Sequence, residues 1–241
     1  MSDGRGTLVA AILAGGRGTR LRPVLDGRPK VLAPVAGRPF LSYLLDQLLA
    51  AGIKKVVLCT GYLAEQVREA FGSSYGDLQI LYSQEEQAMD TGGALRLAMP
   101  ALDSDPALVL NGDSYCDVDM NCFYAWHREN GSLASIALAH SADVTQFGKV
   151  TLSADDQILG FDEKRGGGAG WVNAGMYLLS RIFLDRIPPA RPVSLEKELF
   201  PAWASGGLYG YRSGARLLDI GTPATFEQAG RFLAGCSGHC E

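Results

Sequence analysis

Four apolar runs recur through the first half of the chain: TLVAAILAG (residues 7–15), KKVVLCTG (54–61), LQILYSQE (78–85) and ALVLNGD (107–113). Each is short, nearly continuous and rich in Val, Ile and Leu, the pattern of strands covered on both faces. Segments of helical period lie between them. PFLSYLLDQLLAAG (39–52) sets Phe40, Leu41, Leu44, Leu45, Leu48 and Leu49 on one stripe and stops at Gly52. LAEQVREAFG (63–72) and TGGALRLAMPAL (91–102) continue the alternation. A β-α-β-α-β-α-β order calls for crossover connections. It therefore predicts a doubly wound, mostly parallel α/β sheet of Rossmann-like type with helices on both faces. Ligands of such sheets bind outside the carboxyl ends of the strands.

The second half changes character. LASIALAHS (133–141), GKVTLSA (148–154) and QILGFDEK (157–164) read as strands, and GGGAGWVNAGMYLLS (166–180) leads from a glycine-rich hinge into another. VSLEKELFPAWASGG (193–207) reads as a helix capped by Ser194. Residues 208–235 suggest a hairpin-like pair and a closing helix. No repeat or low-complexity linker interrupts the chain, so the expectation is a single domain over 1–241. It divides into an α/β half, 1–120, and a smaller, more antiparallel lobe, 121–241, with a C-terminal helix.

The formal charge of −4, from 22 Lys and Arg against 26 Asp and Glu, argues against nucleic acid as a partner. No apolar run reaches the roughly 18 residues of a membrane span, and the N-terminus lacks a signal-peptide apolar region. A cytoplasmic location is the expectation. The five cysteines suggest no disulfide framework. Cys59 reads as a buried thiol within a strand, and Cys116 and Cys122 flank an acidic loop. Cys236, His239 and Cys240 lack a second ligand pair for a zinc site and read as a frayed end.

The first strand runs into LAGGRGTRLRP (13–23). This is not a P-loop, because no Gly-Lys-Ser/Thr follows Gly18. Nor is it a dinucleotide fingerprint: Gly16 and Gly18 match the first two glycines, but Leu21 stands at the third. A dehydrogenase would also want an acidic residue ending the second strand, where VVLCTGY ends in Thr60 and Gly61. The glycines let backbone N–H groups approach phosphate, and Arg17, Arg20 and Lys30 add fixed positive charge. Arg22, Arg28 and Arg38 read as solvated. Asp113 and Asp219 each end a strand-like run, and two converging carboxylates suit a hard cation such as Mg²⁺ beside phosphate.

LAGGRGTRLRP, RPKVLAPVAGRPF (28–40), NGD (111–113) and DIGTPATF (219–226), in this order, resemble the signature of the sugar-1-phosphate nucleotidyltransferases. QAMDTGGAL (87–95), LVLNGDSYCDVD (108–119) and VSLEKELFP (193–201) most resemble the D-glycero-α-D-manno-heptose-1-phosphate guanylyltransferases. Mannose-1-phosphate guanylyltransferases and uridylyl- and thymidylyltransferases stand close behind. The resemblance implies a nucleotide-binding half, a sugar-phosphate-binding half, GTP and a sugar 1-phosphate as substrates, and Mg²⁺ as cofactor. It implies that Leu13, Ala14, Gly15 and Gly16 meet base and ribose, and that Gly16, Arg17, Gly18, Thr19 and Arg20 wrap the triphosphate. Gln84, Thr91, Gly92 and Gly93 would read the base. Gly148, Glu163, Lys164, Asn173 and Gly175 would hold the sugar phosphate, and Glu196 the sugar hydroxyls. Arg20, Lys30 and Asp113 would be catalytic, with Asp113 and Asp219 on the metal.

A sugar phosphate is already ionised near neutral pH and needs no general base, so His127 and His140 are read as structural. RGGGAG (165–170) reads equally as a lid over the sugar site or as a hairpin tip. No hexapeptide repeat follows, so no acetyltransferase domain is implied. The resemblance further implies a product used for capsule or lipopolysaccharide assembly, and self-association into a homo-oligomer. A binding-only regulatory subunit stands as the other class, against which the complete set of Arg20, Lys30, Asp113 and Asp219 speaks.

Overall fold

The computed structural model describes residues 8–25, 27–145, 148–162 and 167–235, with Arg22 and Pro23 described by backbone alone. An eight-stranded sheet organises them. Its order is Leu208–Arg212, Ala134–Ser141, Gly170–Leu179, Ala107–Asn111, Val9–Leu13, Lys55–Thr60, Leu78–Gln84 and Ser74–Tyr75. Val9–Leu13 pairs in parallel with both Lys55–Thr60 and Ala107–Asn111, and Lys55–Thr60 in parallel with Leu78–Gln84. Gly170–Leu179 runs antiparallel to its neighbours on both sides. The sheet is thus mixed but mostly parallel over the half that the apolar runs predict.

Both faces are covered, for the reason the runs are apolar throughout. Ala10 and Ile12 face one layer with Leu41, Leu44, Leu45 and Leu48 of helix Phe40–Ala50 and Leu233 of helix Pro223–Ala234. Val9 and Ala11 face the other, with Leu95 and Ala98 of helix Asp90–Ala98 and with Phe183 and Phe200. Helix Phe40–Ala50 gives way to Gly52 at φ 79°, a left-handed position that glycine takes without a Cβ clash. Helix Pro223–Ala234 starts on a Thr222/Thr225 capping box with Pro at its first turn.

The second half departs from its sequence reading in two places. Leu208–Arg212 and Leu217–Asp219 do not form a hairpin. The first joins Ala134–Ser141 in parallel at the sheet edge, while the second pairs antiparallel with Ser114–Cys116. Long-range pairing overrides the local hairpin, and the second pairing carries Asp219 to the strand ends. The helix expected over 193–207 is a π-helical turn, Leu195–Leu199, followed by the short helix Phe200–Trp203. Most strands of this half extend the main sheet; the ribbon Lys149–Leu152/Ile158–Asp162 stands apart from it.

His127 lies 3% exposed with Nδ1 2.7 Å from Ser135 Oγ, and burial holds its pKa down at about 4. It packs; it does not face the cleft described below. Cys59 is buried, and burial pushes its thiol up to about 12. Residues 236–241, with Cys236, His239 and Cys240, lie outside the described residues, as do Arg165 and Gly166 of RGGGAG. No helix among the described residues is long and apolar enough to cross a membrane.

Candidate active site

Strand order reverses between Val9–Leu13 and Ala107–Asn111, and a cleft of about 650 Å³ opens at their carboxyl ends. Successive chain segments leave to opposite sides there, which parts the loops and leaves room for a ligand.

Leu13, Ala14, Gly15, Gly16 and Arg17 line this cleft. Ala14 N–H donates to the Cys59 carbonyl at 2.8 Å, anchoring the loop start to the neighbouring strand. A side chain at Gly15 would displace the Glu85 carboxylate, since a Cβ there would stand 2.7 Å from Glu85 Oε1. Gly16 and Arg17 are exposed. Gly18 sits at φ 54°, and a Cβ would stand 3.2 Å from Lys30 Cβ, so this glycine both makes the turn and lets Lys30 pass beneath it. Gly18, Thr19 and Arg20 fall outside the lining; Thr19 and Arg20 are exposed at the turn.

Lys30 is only 8% exposed and opens a 3-10 turn, Lys30–Leu32, after Pro29. Its Nζ donates to Asp113 Oδ2 at 2.7 Å. Asp113 follows Ala107–Asn111 through Gly112, whose Cβ would stand 2.5 Å from the Leu13 carbonyl oxygen. The two central strands can close on each other here only through a glycine. Ile220 N–H donates to the Asp113 carbonyl at 3.0 Å, which ties the Asp219 turn to the same point. Asp219 accepts the Gly221 N–H. Burial first, and then the charge of Asp113, push the Asp219 carboxyl above its ordinary range, against Lys30, the Gly221 N–H and Arg20. A carboxylate so placed gains from an added cation. The pair offers oxygen donors only, and no group of three or more His, Cys, Asp or Glu gathers among the described residues. That donor set fits Mg²⁺ completed by phosphate and water, rather than zinc.

On the base side the structure rearranges the sequence assignments. Gln84, the last residue of its strand, is exposed and outside the lining, whereas Glu85 turns into the cleft. Glu85 Oε2 accepts the Met89 N–H at 3.0 Å, and burial raises its carboxyl. Gly92 and Gly93 present nothing to the cleft, because both N–H groups donate to the Val193 carbonyl, at 2.8 and 3.1 Å. They let helix Asp90–Ala98 press on the 191–193 segment: a Cβ on Gly92 would stand 3.0 Å from Val193 O. Thr91 lines the cleft, but its hydroxyl is engaged. It donates to Glu196 Oε2 at 2.7 Å and accepts the Leu195 N–H at 2.8 Å.

Asn173, Gly175 and Glu196 line the opposite side, together with Asn111, Ser194 and Lys197. Beneath them lies Tyr177, fully buried. Its hydroxyl accepts from Asn111 Nδ2 at 3.2 Å and Asn173 Nδ2 at 3.1 Å, and donates to Glu196 Oε1 at 3.2 Å. Burial and the Glu196 charge hold the phenol neutral, as a donor must be. Sequence reasoning missed this hub, because its partners Asn111 and Glu196 come from two distant segments and only the folded strand Gly170–Leu179 sets Tyr177 beside them and Asn173. Gly148, at φ 80°, lies in the turn before Lys149–Leu152 and outside the lining. Glu163 and Lys164 lie outside the described residues.

A glycine loop, a lysine paired to one of two converging carboxylates and a hydrogen-bonded wall of Asn173, Ser194 and Glu196 thus share one cleft at the strand ends. The chain belongs to the nucleotidyl transferase family, whose profile matches residues 9–235. It is 39% identical over 223 residues to a mannose-1-phosphate guanylyltransferase of Mycobacterium tuberculosis, covering 90% of this chain and 62% of that one. The chain thus spans under two thirds of that relative's length. It is 31% identical over 225 residues to the D-glycero-alpha-D-manno-heptose 1-phosphate guanylyltransferase of Aneurinibacillus thermoaerophilus, covering 93% of this chain and 97% of that one. Among solved structures, HddC from Yersinia pseudotuberculosis complexed with GMP-PN superposes with a TM-score of 0.84 at 27% identity, covering 94% of this chain and 99% of that one.

Proposed function

We propose that this protein joins GTP to a manno-configured sugar 1-phosphate, D-glycero-α-D-manno-heptose 1-phosphate foremost, and releases pyrophosphate. The observation that carries the reading is the Lys30–Asp113–Asp219 cluster at the end of the glycine loop, with Glu196 and Asn173 facing it. In the reaction an ionised phosphate oxygen of the sugar 1-phosphate attacks the α-phosphorus of GTP. The bond to the β-phosphate oxygen breaks as pyrophosphate leaves, so no general base is required. The problem is electrostatic, since two anions must meet while charge moves to the leaving group.

Residues 1–120 supply the nucleotide site. Gly15 and Gly16 allow close backbone approach to the phosphates, and Arg17 and Arg20 neutralise them. Lys30, held by Asp113, is placed to stabilise charge at the α-phosphate. Asp113 and Asp219 would hold Mg²⁺, which when bound neutralises the triphosphate and orients it. Glu85 supports guanine: a carboxylate beside the cradle accepts from the N1–H and 2-amino donors of guanine, where uracil and thymine offer one N–H between two carbonyls. Residues 121–241 supply most of the sugar side, with Glu196 accepting hydroxyl hydrogens and Asn173 completing the wall together with Asn111 of the first half. The heptose assignment draws on the resemblance of QAMDTGGAL, LVLNGDSYCDVD and VSLEKELFP to heptose-1-phosphate guanylyltransferases and on the 31% identity to the Aneurinibacillus relative. Mannose 1-phosphate is the second reading, favoured by the 39% identity to the mycobacterial one. The product, an activated sugar, suits capsule or lipopolysaccharide assembly, and the substrates suit the cytoplasm.

The test is pyrophosphate release with Mg²⁺, crossing GTP, dTTP, UTP, CTP and ATP with heptose, mannose and glucose 1-phosphates. Release confined to GTP with the heptose ester is expected. Preference for a pyrimidine nucleotide would overturn the guanine assignment, and nucleotide binding without release from any pair would overturn catalysis.

A further inference from the structure

The π-helical turn Leu195–Leu199 does something that neither the glycine loop nor the metal-type carboxylates explain. It sets two consecutive side chains, Glu196 and Lys197, on the cleft wall. Both carboxylates flanking Lys197 are committed elsewhere. Glu196 accepts from Tyr177 on Oε1, and from Thr91 and Ser194 on Oε2 at 2.7 and 3.2 Å. Glu198 is held by Arg191 Nη1 at 2.9 Å and by the Ser194 N–H at 3.2 Å. Lys197 itself has its backbone fixed, its N–H donating to Ser194 Oγ at 3.1 Å. Its side chain is exposed and makes no ion pair among the described residues.

The cleft is otherwise rich in acid: Glu85, Asp90, Asp113, Asp219 and Glu196 all line it. Of the lining cations, Lys30 is tied to Asp113 and Arg17 stands on the glycine loop. Among the described residues Lys197 is therefore the sole cation lining the Asn173–Glu196 side. An exposed, strongly hydrated ammonium on the wall of an acidic cleft, with no ion pair of its own among the described residues, is free to meet an anion that arrives from outside. The sugar 1-phosphate brings such an anion to this wall.

We propose that Lys197 is a binding residue for the phosphate of the sugar 1-phosphate, acting as a point charge that offsets the approach of one anion to another. This rests on the reading of the cleft as a sugar-phosphate site. Lys197 is exposed, so Lys197→Met is expected to fold with an unchanged Tm. The loss of a charge-assisted bond predicts a rise of about 10- to 100-fold in KM for the sugar 1-phosphate. The KM for GTP should stay within about twofold, and Lys197→Arg should recover part of the loss, as expected when charge is conserved and geometry is not.

The test compares wild type, Lys197→Met and Lys197→Arg in pyrophosphate release with GTP and heptose or mannose 1-phosphate. It is paired with calorimetric binding of the same sugar phosphate in the presence of a non-hydrolysable GTP analogue and Mg²⁺. An unchanged sugar-phosphate KM and binding constant in Lys197→Met overturns the proposal, as does a loss that falls on GTP. Wild type that binds the sugar phosphate without releasing pyrophosphate would refute the catalytic reading alone, and the anchor is then judged on the binding difference. Wild type that binds no sugar phosphate would overturn both.

Discussion

The two walls of the cleft are built by different means. The wall proposed for the nucleotide is one contiguous loop, lining the cleft over residues 13–17 and set against strand ends that meet through Gly112, and it offers main-chain groups plus fixed charge. The sugar wall has no such segment. Asn111, Asn173, Ser194, Glu196 and Lys197 come from three separate stretches of chain; one buried hydroxyl, on Tyr177, holds Asn111, Asn173 and Glu196, and Thr91 and Ser194 hold Glu196 as well. The first wall is preorganised by backbone geometry, which rests on Gly18 and Gly112. The second depends on a hydrogen-bond network in which each member positions another. Loss of charge should therefore dominate on the nucleotide wall, and loss of position on the sugar wall.

The largest expected effects fall where the walls meet. Asp113→Ala and Asp219→Ala should each lower kcat by about 10²–10³, the cost typical of deleting one group that stabilises transition-state charge. A steady-state assay checks this, and a change confined to KM would break the contrast. Glu85→Gln comes next. It keeps size and loses a full acceptor, so the preference for GTP over ITP should fall by about tenfold, since inosine lacks the 2-amino group. An unchanged GTP/ITP ratio would remove Glu85 from base recognition.

Tyr177→Phe sharpens the sugar wall. It leaves the buried volume nearly constant while freeing Asn111, Asn173 and Glu196. The sugar-phosphate KM should rise by up to about tenfold with the GTP KM unchanged, and stability should drop by about 1–3 kcal/mol for buried polar groups left unpaired. A kcat loss without a KM change would place the hub on the other wall.

The smallest effect concerns stability. The Asp219 carboxyl is raised above its ordinary range in the folded protein, first by burial and then by Asp113. Its favourable contribution is therefore full below the ordinary carboxylate pKa and is lost as pH rises through the raised value. At neutral pH without metal, Asp219→Asn should be more stable than wild type, and the difference should vanish toward acid. Mg²⁺ should raise the wild-type Tm at pH 7 and leave that of Asp219→Asn nearly unmoved. Melting curves across pH with and without Mg²⁺ check the sign, and a variant less stable at pH 7 would contradict it.

What could be read from the chain alone follows the same division. The parallel strands were legible because burial on both faces leaves an unbroken apolar run, and the glycine loop because a backbone cradle is contiguous. Asp113 and Asp219 were legible as strand-end acids, yet the pairing of Leu217–Asp219 with Ser114–Cys116 that brings them together was not. That register spans about a hundred residues, and the local pattern suggested a hairpin instead. At the end of Leu78–Gln84 a shift of one residue decides whether Gln84 or Glu85 enters the cleft, and a strand that stops leaves that phase open. Gly92 and Gly93 have the composition of a ligand-facing helix start, but the Val193 carbonyl, a hundred residues away, takes both N–H groups. The π-helical turn was hidden because Thr91, far away in sequence, accepts the Leu195 N–H.

If the cluster around Lys30 performs nucleotidyl transfer, removing the Lys30 cation should abolish most of the turnover. The most direct test is the turnover of Lys30→Ala in pyrophosphate release from GTP, Mg²⁺ and the sugar 1-phosphate that wild type prefers, with melting curves to show the fold retained. The expected kcat is lower by at least about 10²-fold at saturating substrates, from loss of one cation at the charge that develops. Turnover within a few fold of wild type would contradict that role for the cluster.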